Sequence, residues 1–518
     1  MLFRHRVTSP AGVEEQLRDR LAHRTENFLE SAERLVFANP RSPYRPLLET
    51  AGYDWPSVRQ LVMTRGLDVA LDQLCADGVY VRIQEFKGLE PAVRQGRTFN
   101  FQERDFANPL VRAALRVRSS GSRSRGTQTN ISEEEFLERV RFRWWLLERY
   151  GLHERAAVTW QNLPQGVTTL LQAAVTGRQA TCFTLLGSPS WGYALLILAA
   201  RLLSGVRVPF IQWATAEQAA KLARYIGRAN TPRGTLLTTF VNPALRLVVA
   251  AEEAGIDMGD VAFLIGGEPV TPLKYEQFIR RGHRVLSAFA FTEFGTAAWT
   301  CPRGREVDDL HVLTDRAAVR QYPRPVGQDG DTVPAYLFSS LLPHARHVMI
   351  NVETGDYGGL EERRCGCFLE ETGFSLHMHT IRSFEKLTAE GMTFIGPGLI
   401  TLLEEDLPRE FGGDVRHYQL VEGEDRRGFT HLYLLVSPQV GAIDEDSVRR
   451  RVLRAIEEHH LLPRRGRTIQ HIWERAGTLQ VLRRDPLATA TGKVLHLHRD
   501  RGTLLAASGD GAEGGTEE

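Results

Sequence analysis

Apolar positions recur at helical spacing over residues 12–80, as Leu17, Leu21, Phe28 and Leu29 and then Leu61, Val69 and Leu74. This part is predicted to be helices packed on the edge of a larger unit. Ser42-Pro43 and Asp54-Trp55-Pro56 interrupt the run. From residue 180 onward, short apolar runs alternate with amphipathic ones. Strands are expected at 181–186, 206–213, 235–240, 261–265 and 285–289, with helices at 194–203, 216–226, 244–254 and 272–280. Repeated βα units build a largely parallel sheet covered by helices on both faces. Such sheets bind ligands at the carboxyl ends of their strands, so polar and glycine-rich residues just beyond those ends are the first candidates.

Between 301 and 370 the helical period fades, and strands are expected at 335–339 and 347–351. A second segment shows strand alternation at 417–421 and 430–436, a charged helix at 444–458 and a further strand at 469–473. The fold class expected is α/β. A large domain over 1–380, with mostly parallel βα-built sheets and a helical extension over 1–105, precedes a small mobile α+β domain over 381–502. The acidic, glycine-rich 503–518 reads as a disordered tail.

Composition narrows the function. The 518 residues exceed what one core organises, and 64 basic against 63 acidic residues leave no global field to attract nucleic acid or anionic lipid. Only five of the basic residues are lysines: Lys87, Lys221, Lys274, Lys386 and Lys493. Where arginine fills nearly every basic position, a lysine marks a place for a compact, rotatable ammonium, or survives by chance. The first residues carry no apolar core of signal-peptide length, and the run 193–200 is too short to span a bilayer. Five cysteines make no disulfide scaffold. A soluble, cytoplasmic protein without nucleic-acid or membrane partners is expected.

Five stretches carry candidate chemistry. Ser119, Ser120, Gly121, Ser122 and Arg123 lie in a glycine- and hydroxyl-rich loop whose amides could close round phosphate oxygens, although the same composition suits a basic linker. Gly266-Gly267-Glu268-Pro269 follows an apolar strand, where glycines admit a flat ligand or form an ordinary βα turn. Phe289-Ala290-Phe291-Thr292-Glu293 offers an aromatic face, a hydroxyl and a carboxylate able to hold Mg²⁺. Thr354-Gly355-Asp356, with Arg382 further on, places an acceptor for ribose hydroxyls in what is otherwise an Asx turn. Gly492-Lys493 presents a lysine on a glycine-containing turn.

In this order the stretches resemble the adenylate-forming superfamily of acyl-CoA synthetases, most closely its phenylacetate–CoA ligase branch, over residues 105 to 497. The resemblance implies ATP-dependent conversion of a carboxylic acid to an acyl adenylate and then a thioester, with Mg²⁺ and coenzyme A as cofactors. It gives Ser119, Ser120 and Ser122 to the β,γ-phosphates, Gly267, Glu268 and Phe289 to adenine and Thr292 to the α-phosphate. Glu293 falls to Mg²⁺, Asp356 and Arg382 to ribose, and Lys493 to the charge developing between carboxylate and α-phosphate. The acid pocket is expected among Trp191-Gly192-Tyr193, Phe240 and 288–291. Departures from the pattern stand at Ser124, Arg125-Gly126, Phe289-Ala290, Ser383-Phe384-Glu385 and Glu390-Gly391, the last two bearing on thioester formation. Transfer to a carrier protein thiol or an amine is the alternative, similar to the acyl-protein synthetases of bacterial luminescence. A non-catalytic nucleotide-binding homologue is another. A nucleic-acid binder using Arg118–Arg125 and Arg464-Arg465-Gly466-Arg467 is opposed by the near-zero net charge. The oligomeric state stays open, a homodimer included.

Cys301, His311, Cys365 and Cys367 form a separate Cys₃His set, suited to structural tetrahedral zinc or to a buried thiol cluster.

Overall fold

The computed structural model describes residues 7–118, 128–161, 168–169, 171–172, 175–176, 180–185, 211–325, 332–383, 387–389, 392–394, 402–425, 427–458, 473, 477–487 and 497–499. Its centre is a twelve-stranded sheet. In chain order the strands are β1 (Ala156–Gln161), β2 (Ala180–Thr184), β3 (Ile211–Trp213), β4 (Thr235–Phe240), β5 (Val261–Gly266) and β6 (Arg284–Phe291). They continue as β7 (Gly295–Thr300), β8 (Leu310–Val312), β9 (Ala317–Pro325), β10 (Thr332–Ser340), β11 (Val352–Glu362) and β12 (Leu376–Ser383). The spatial order is β9-β10-β11-β12-β8-β7-β6-β5-β4-β1-β2-β3.

β1 to β6 pair in parallel, as the βα alternation predicts. β4 is buried along its whole length and β5 over its first five residues, which is why both read as continuous apolar and threonine runs. The helices Ala219–Ala229 and Val241–Glu253 cover one face through Leu222, Ile226, Leu245 and Val248. From β6 onward every new pairing is antiparallel, so the sheet is half parallel rather than mostly so. The helices between Arg24 and Ala76 pack on that antiparallel half, where Phe28, Tyr44, Leu71 and Leu74 share a core with Val319, Phe338 and Val352, while Val13 and Leu17 of the first helix share a core with Leu236, Leu264 and Leu286. Asp54 caps the helix Trp55–Arg65 and Pro56 sits in its first turn, so the expected break is a helix start. Val69 faces solvent, against its reading as an apolar helix position.

Residues 347–351 are not a strand. Val348, Met349 and Ile350 are buried, but the Met349, Ile350 and Asn351 amides donate to Ser340 Oγ, Tyr44 Oη and Ser339 Oγ instead of to a ladder. Asn351 sits at φ 50°, which ends any extended run.

The C-terminal part has a four-stranded sheet, ordered Leu479–Arg483, Thr430–Val436, Tyr418–Glu424, Leu497–Arg499, with the helix Glu445–Glu458 on one face through Val448 and Val452. Residues 469–472 of the strand expected at 469–473 lie outside the described residues, and Trp473, its described end, is helical and buried in the same core. The strand that pairs with Thr430–Val436 on its far side is Leu479–Arg483. Lys274, 1 % exposed, joins this sheet to the large one: its Nζ lies 3.0 Å from Glu424 and 2.7 Å from Thr430 Oγ1. Among the described residues no helix is long and apolar enough to cross a membrane.

Candidate active site and metal centre

The carboxyl ends of three neighbouring strands stand in register, with Phe240 opposite Gly266 and Gly266 opposite Ala288. The chain runs outward through β2 and β3 and returns to β4 beside β1, so strand order reverses between β1 and β4. A doubly wound sheet opens its ligand crevice at such a reversal. Gly266 and Gly267 are required by geometry there. A Cβ on Gly266 would lie 2.9 Å from Ala288 O, and Gly267, at φ +80°, would put one 3.2 Å from the Phe240 ring. Glu268 turns back and accepts the Asn242 N–H at 2.8 Å, tying the turn to the first residues of the helix Val241–Glu253.

Residues 291–295 form the hairpin between β6 and β7. Phe289 stacks on Phe338 with centroids 5.8 Å apart, and Phe291 meets the same ring edge-on at 5.1 Å. Arg346 Nη1 donates to Thr292 O at 2.9 Å, and His347 Nδ1 contacts Glu293 O at 3.0 Å. The Glu293 carboxylate is ion-paired with Lys87, whose ammonium also lies 3.1 Å from Glu103. Asp356 accepts a hydrogen bond from the Ser383 hydroxyl across the β11–β12 pair. Arg382 is oriented by Asp308 at 3.1 Å, while the same carboxylate accepts the Thr380 and Ile381 amides, each at 2.9 Å. Ser119, Ser120, Gly121, Ser122, Arg123, 191–193 and Lys493 lie outside the described residues.

Burial pushes the His347 imidazole down to about 4, so it is neutral in the folded chain at neutral pH. Below about 6.5 the unfolded chain takes up a proton that the native one refuses until pH 4. Stability from this residue is therefore complete above pH 6.5 and is lost as pH falls toward 4, by up to about 3 kcal/mol. Urea midpoints at pH 7 and pH 4.5 should show this slope in the native chain and a shallower one in His347→Gln; equal slopes would refute it.

The second cluster lies at the antiparallel side. Ligand atoms of Cys301, His311, Cys365 and Cys367 all fall within 4.8 Å of one another. His311 pairs with Trp299 of β7 and His377 of β12, and its Nδ1 contacts Phe374 O at 2.7 Å, leaving Nε2 facing Cys367 and Cys365 at 3.1 and 3.5 Å. A hydrogen bond shared between thiols raises Cys301 and, with the His311 contact, lowers Cys367. Three soft sulfurs and one imidazole nitrogen converging from separate strands and a loop fit a tetrahedral thiophilic cation with no open position. Asp309 and His377, contacting at 2.7 Å, lie beside Cys301 and were not singled out by the sequence. Nor were Lys87, Asp308, Arg346 and His347. Only Lys87 carried a signal, the scarcity of lysine.

No family model and no curated protein matches the chain. Among solved structures it is similar to an amide bond synthetase from Marinactinospora thermotolerans, at 12% identity and TM-score 0.42 over 96% of this chain and 99% of that one. It is similar to o-succinylbenzoate CoA synthetase from Bacillus subtilis at 13% identity and TM-score 0.38, over 74% and 67% of the two chains. An acyl-CoA synthetase (AMP-forming)/AMP-acid ligase II-like protein from Dyadobacter fermentans follows at 12% identity and TM-score 0.30, over 76% and 89%. All of these are adenylate-forming enzymes.

Proposed function

We propose that the chain activates a carboxylic acid with MgATP to an acyl adenylate, releasing pyrophosphate, and passes the acyl group to a thiol, that of coenzyme A. The observation that carries this reading is the register of Phe240, Gly266 and Ala288, which sets the glycine turn and the Thr292-Glu293 hairpin on one carboxyl edge of the sheet. Displacement at the α-phosphate needs alignment and charge neutralisation more than covalent help. In this reading Gly267 leaves room for the base beside Phe240 and Phe289, and Thr292 meets the α-phosphate. Glu293 holds Mg²⁺, which neutralises the triphosphate oxygens when bound. Asp356 and Arg382 take the ribose hydroxyls, their orientation set by Ser383 and Asp308. The serines at 119, 120 and 122 and Lys493 belong to the phosphates and the reacting oxygens. The division at residue 380 belongs to the same proposal, with 381–502 closing over the nucleotide and 503–518 a tail.

The Cys301, His311, Cys365 and Cys367 set holds structural zinc in this reading, because four protein ligands leave no coordination position for a substrate.

The test is ATP–pyrophosphate exchange screened over aryl, fatty and amino acids. Exchange should depend on one class of acid, and AMP release should then require coenzyme A. Acid-dependent exchange without coenzyme A-dependent AMP release would move the second half-reaction to a protein thiol or an amine. Nucleotide binding with no exchange for any acid would overturn the reading.

A further inference from the structure

The helix Glu133–Arg149 begins at Ser132, whose hydroxyl accepts the Glu135 N–H at 3.1 Å. Where it crosses the sheet its inner face is apolar, with Phe142, Trp145 and Leu146 in one core with Leu236, Leu264 and Leu286. The apolar face continues toward the helix start through Phe136 and Val140, and charged side chains stand beside it. Arg143 donates to Thr238 Oγ1 at 2.9 Å and Gln172 Oε1 at 3.2 Å. Glu135 accepts from Arg346 Nε at 2.6 Å, and Arg346 in turn holds Thr292 O. Arg139 stands between them, one helical turn from each. Burial and the neighbouring charges of Arg346, Arg143 and Arg316 pull its guanidinium down to about 10, against the opposite pull of Glu135.

Two observations distinguish this cluster from a network of ordinary ion pairs. Among the described residues its charge does not balance. Arg20, Arg139, Arg143, Arg316 and Arg346 surround Glu135, Glu138 and Asp315, and each of those carboxylates already faces one of Arg346, Arg20 and Arg316, with Glu135 Oε2 left without a partner. Among the described residues Arg139 has no hydrogen-bonded or ion-paired partner. In addition, the Arg346 side chain is 4 % exposed, yet its Nη2 lacks a hydrogen-bond partner. An unpaired buried donor is costly, and a charged acceptor would relieve it.

We propose that Arg139, Arg143 and Arg346 form the receptor for the pyrophosphate half of the nucleotide, the β,γ-phosphates of ATP and the pyrophosphate released from it. The inference rests on the adenylation reading and adds side chains that the phosphate loop does not supply. Guanidinium forks match phosphate oxygens in pairs. The receptor lies beside the Thr292-Glu293 hairpin because Arg346 is hydrogen-bonded both to Glu135 on the helix and to Thr292 in the hairpin. A second carboxylate on the acid substrate is the competing occupant, and it carries less charge than pyrophosphate.

Titration calorimetry on the full chain with inorganic pyrophosphate, ATP and AMP tests this, using Arg139→Met and Arg139→Lys. Arg139→Met should weaken pyrophosphate and ATP by at least about tenfold while leaving AMP within about twofold, since AMP lacks the phosphates concerned. Arg139→Lys should fall between, because an ammonium keeps the charge without the fork. It decides the matter should the methionine variant not fold. Native pyrophosphate affinity in either variant, or parallel losses for AMP and pyrophosphate, would overturn the receptor. The two readings also fail separately. Arg139-dependent pyrophosphate binding without acid-dependent exchange keeps the receptor and removes the reaction. Native exchange with unchanged pyrophosphate affinity in Arg139→Met keeps the reaction and removes the receptor.

Discussion

His311→Ala will lose its equivalent of zinc and about 4 kcal/mol or more of stability, an effect that few single substitutions reach without loss of a metal or disulfide. The size follows from what the four ligands connect. Cys301 lies just past β7, His311 sits in the middle of the short strand β8, and Cys365 and Cys367 come from the loop between β11 and the helix Phe368–Thr372. Beyond the metal, that loop is fixed by the Cys365 and Gly366 amides donating to Glu370 and by Arg363, which donates to Ser375 O and pairs with Asp309. With the imidazole and the metal gone, three thiols are left facing one another in a space shaped for a cation. Cys182→Ser is the control, because burial pushes its thiol up to about 12 and it lies outside the cluster. Metal analysis of the purified chains, followed by chelator-triggered zinc release and thermal melting, reads the difference. A native chain without metal, or a His311→Ala chain with as much zinc and the same midpoint, would remove the proposal.

That cluster was legible in the sequence because thiols are scarce in it, even though 53 residues separate His311 from Cys365 in the count of intervening positions. The separation is closed by register: β8 pairs with β12, and the Cys365–Cys367 loop immediately precedes the short helix that leads into β12. β4 was legible end to end for a different reason, since burial of a parallel strand on both faces leaves a run of apolar and β-branched residues without polar alternation. The same signal misled at 347–351, where side-chain hydroxyls take the amides of Met349, Ile350 and Asn351 in place of a strand ladder. Periodicity cannot distinguish the two cases, because it reports burial and not hydrogen-bond partners. Arg346 and His347 were invisible for a related reason. Their role is to hold two carbonyls of a hairpin more than fifty residues earlier in the chain, and no local pattern encodes that. Lys87 and Lys274 were the intermediate case. A chain that uses arginine almost everywhere kept ammonium groups at two places where one small cation is shared by two acceptors.

Glu293→Gln should lower acid-dependent pyrophosphate exchange by about a hundredfold, with the acid's half-saturating concentration changing far less. The amide keeps the shape and much of the hydrogen bonding of the side chain but cannot hold a hard divalent cation as a carboxylate does. Lys87 makes the expectation sharper. Its ammonium lies between Glu293 and Glu103 with only 8 % of the side chain exposed, so Mg²⁺ approaching Glu293 meets a positive charge already in place. In a partly buried setting that repulsion is worth on the order of 1 kcal/mol or more. Lys87→Met should therefore lower the half-saturating Mg²⁺ concentration by at least about fivefold, while weakening the contact between the N-terminal helices and the hairpin. The pair of variants separates two roles for Glu293. If it is a metal ligand, Lys87→Met shifts the Mg²⁺ dependence and Glu293→Gln removes most of the rate. If it is only the partner of Lys87, both variants lose stability together and neither changes the Mg²⁺ midpoint, and the assignment of Mg²⁺ to Glu293 falls.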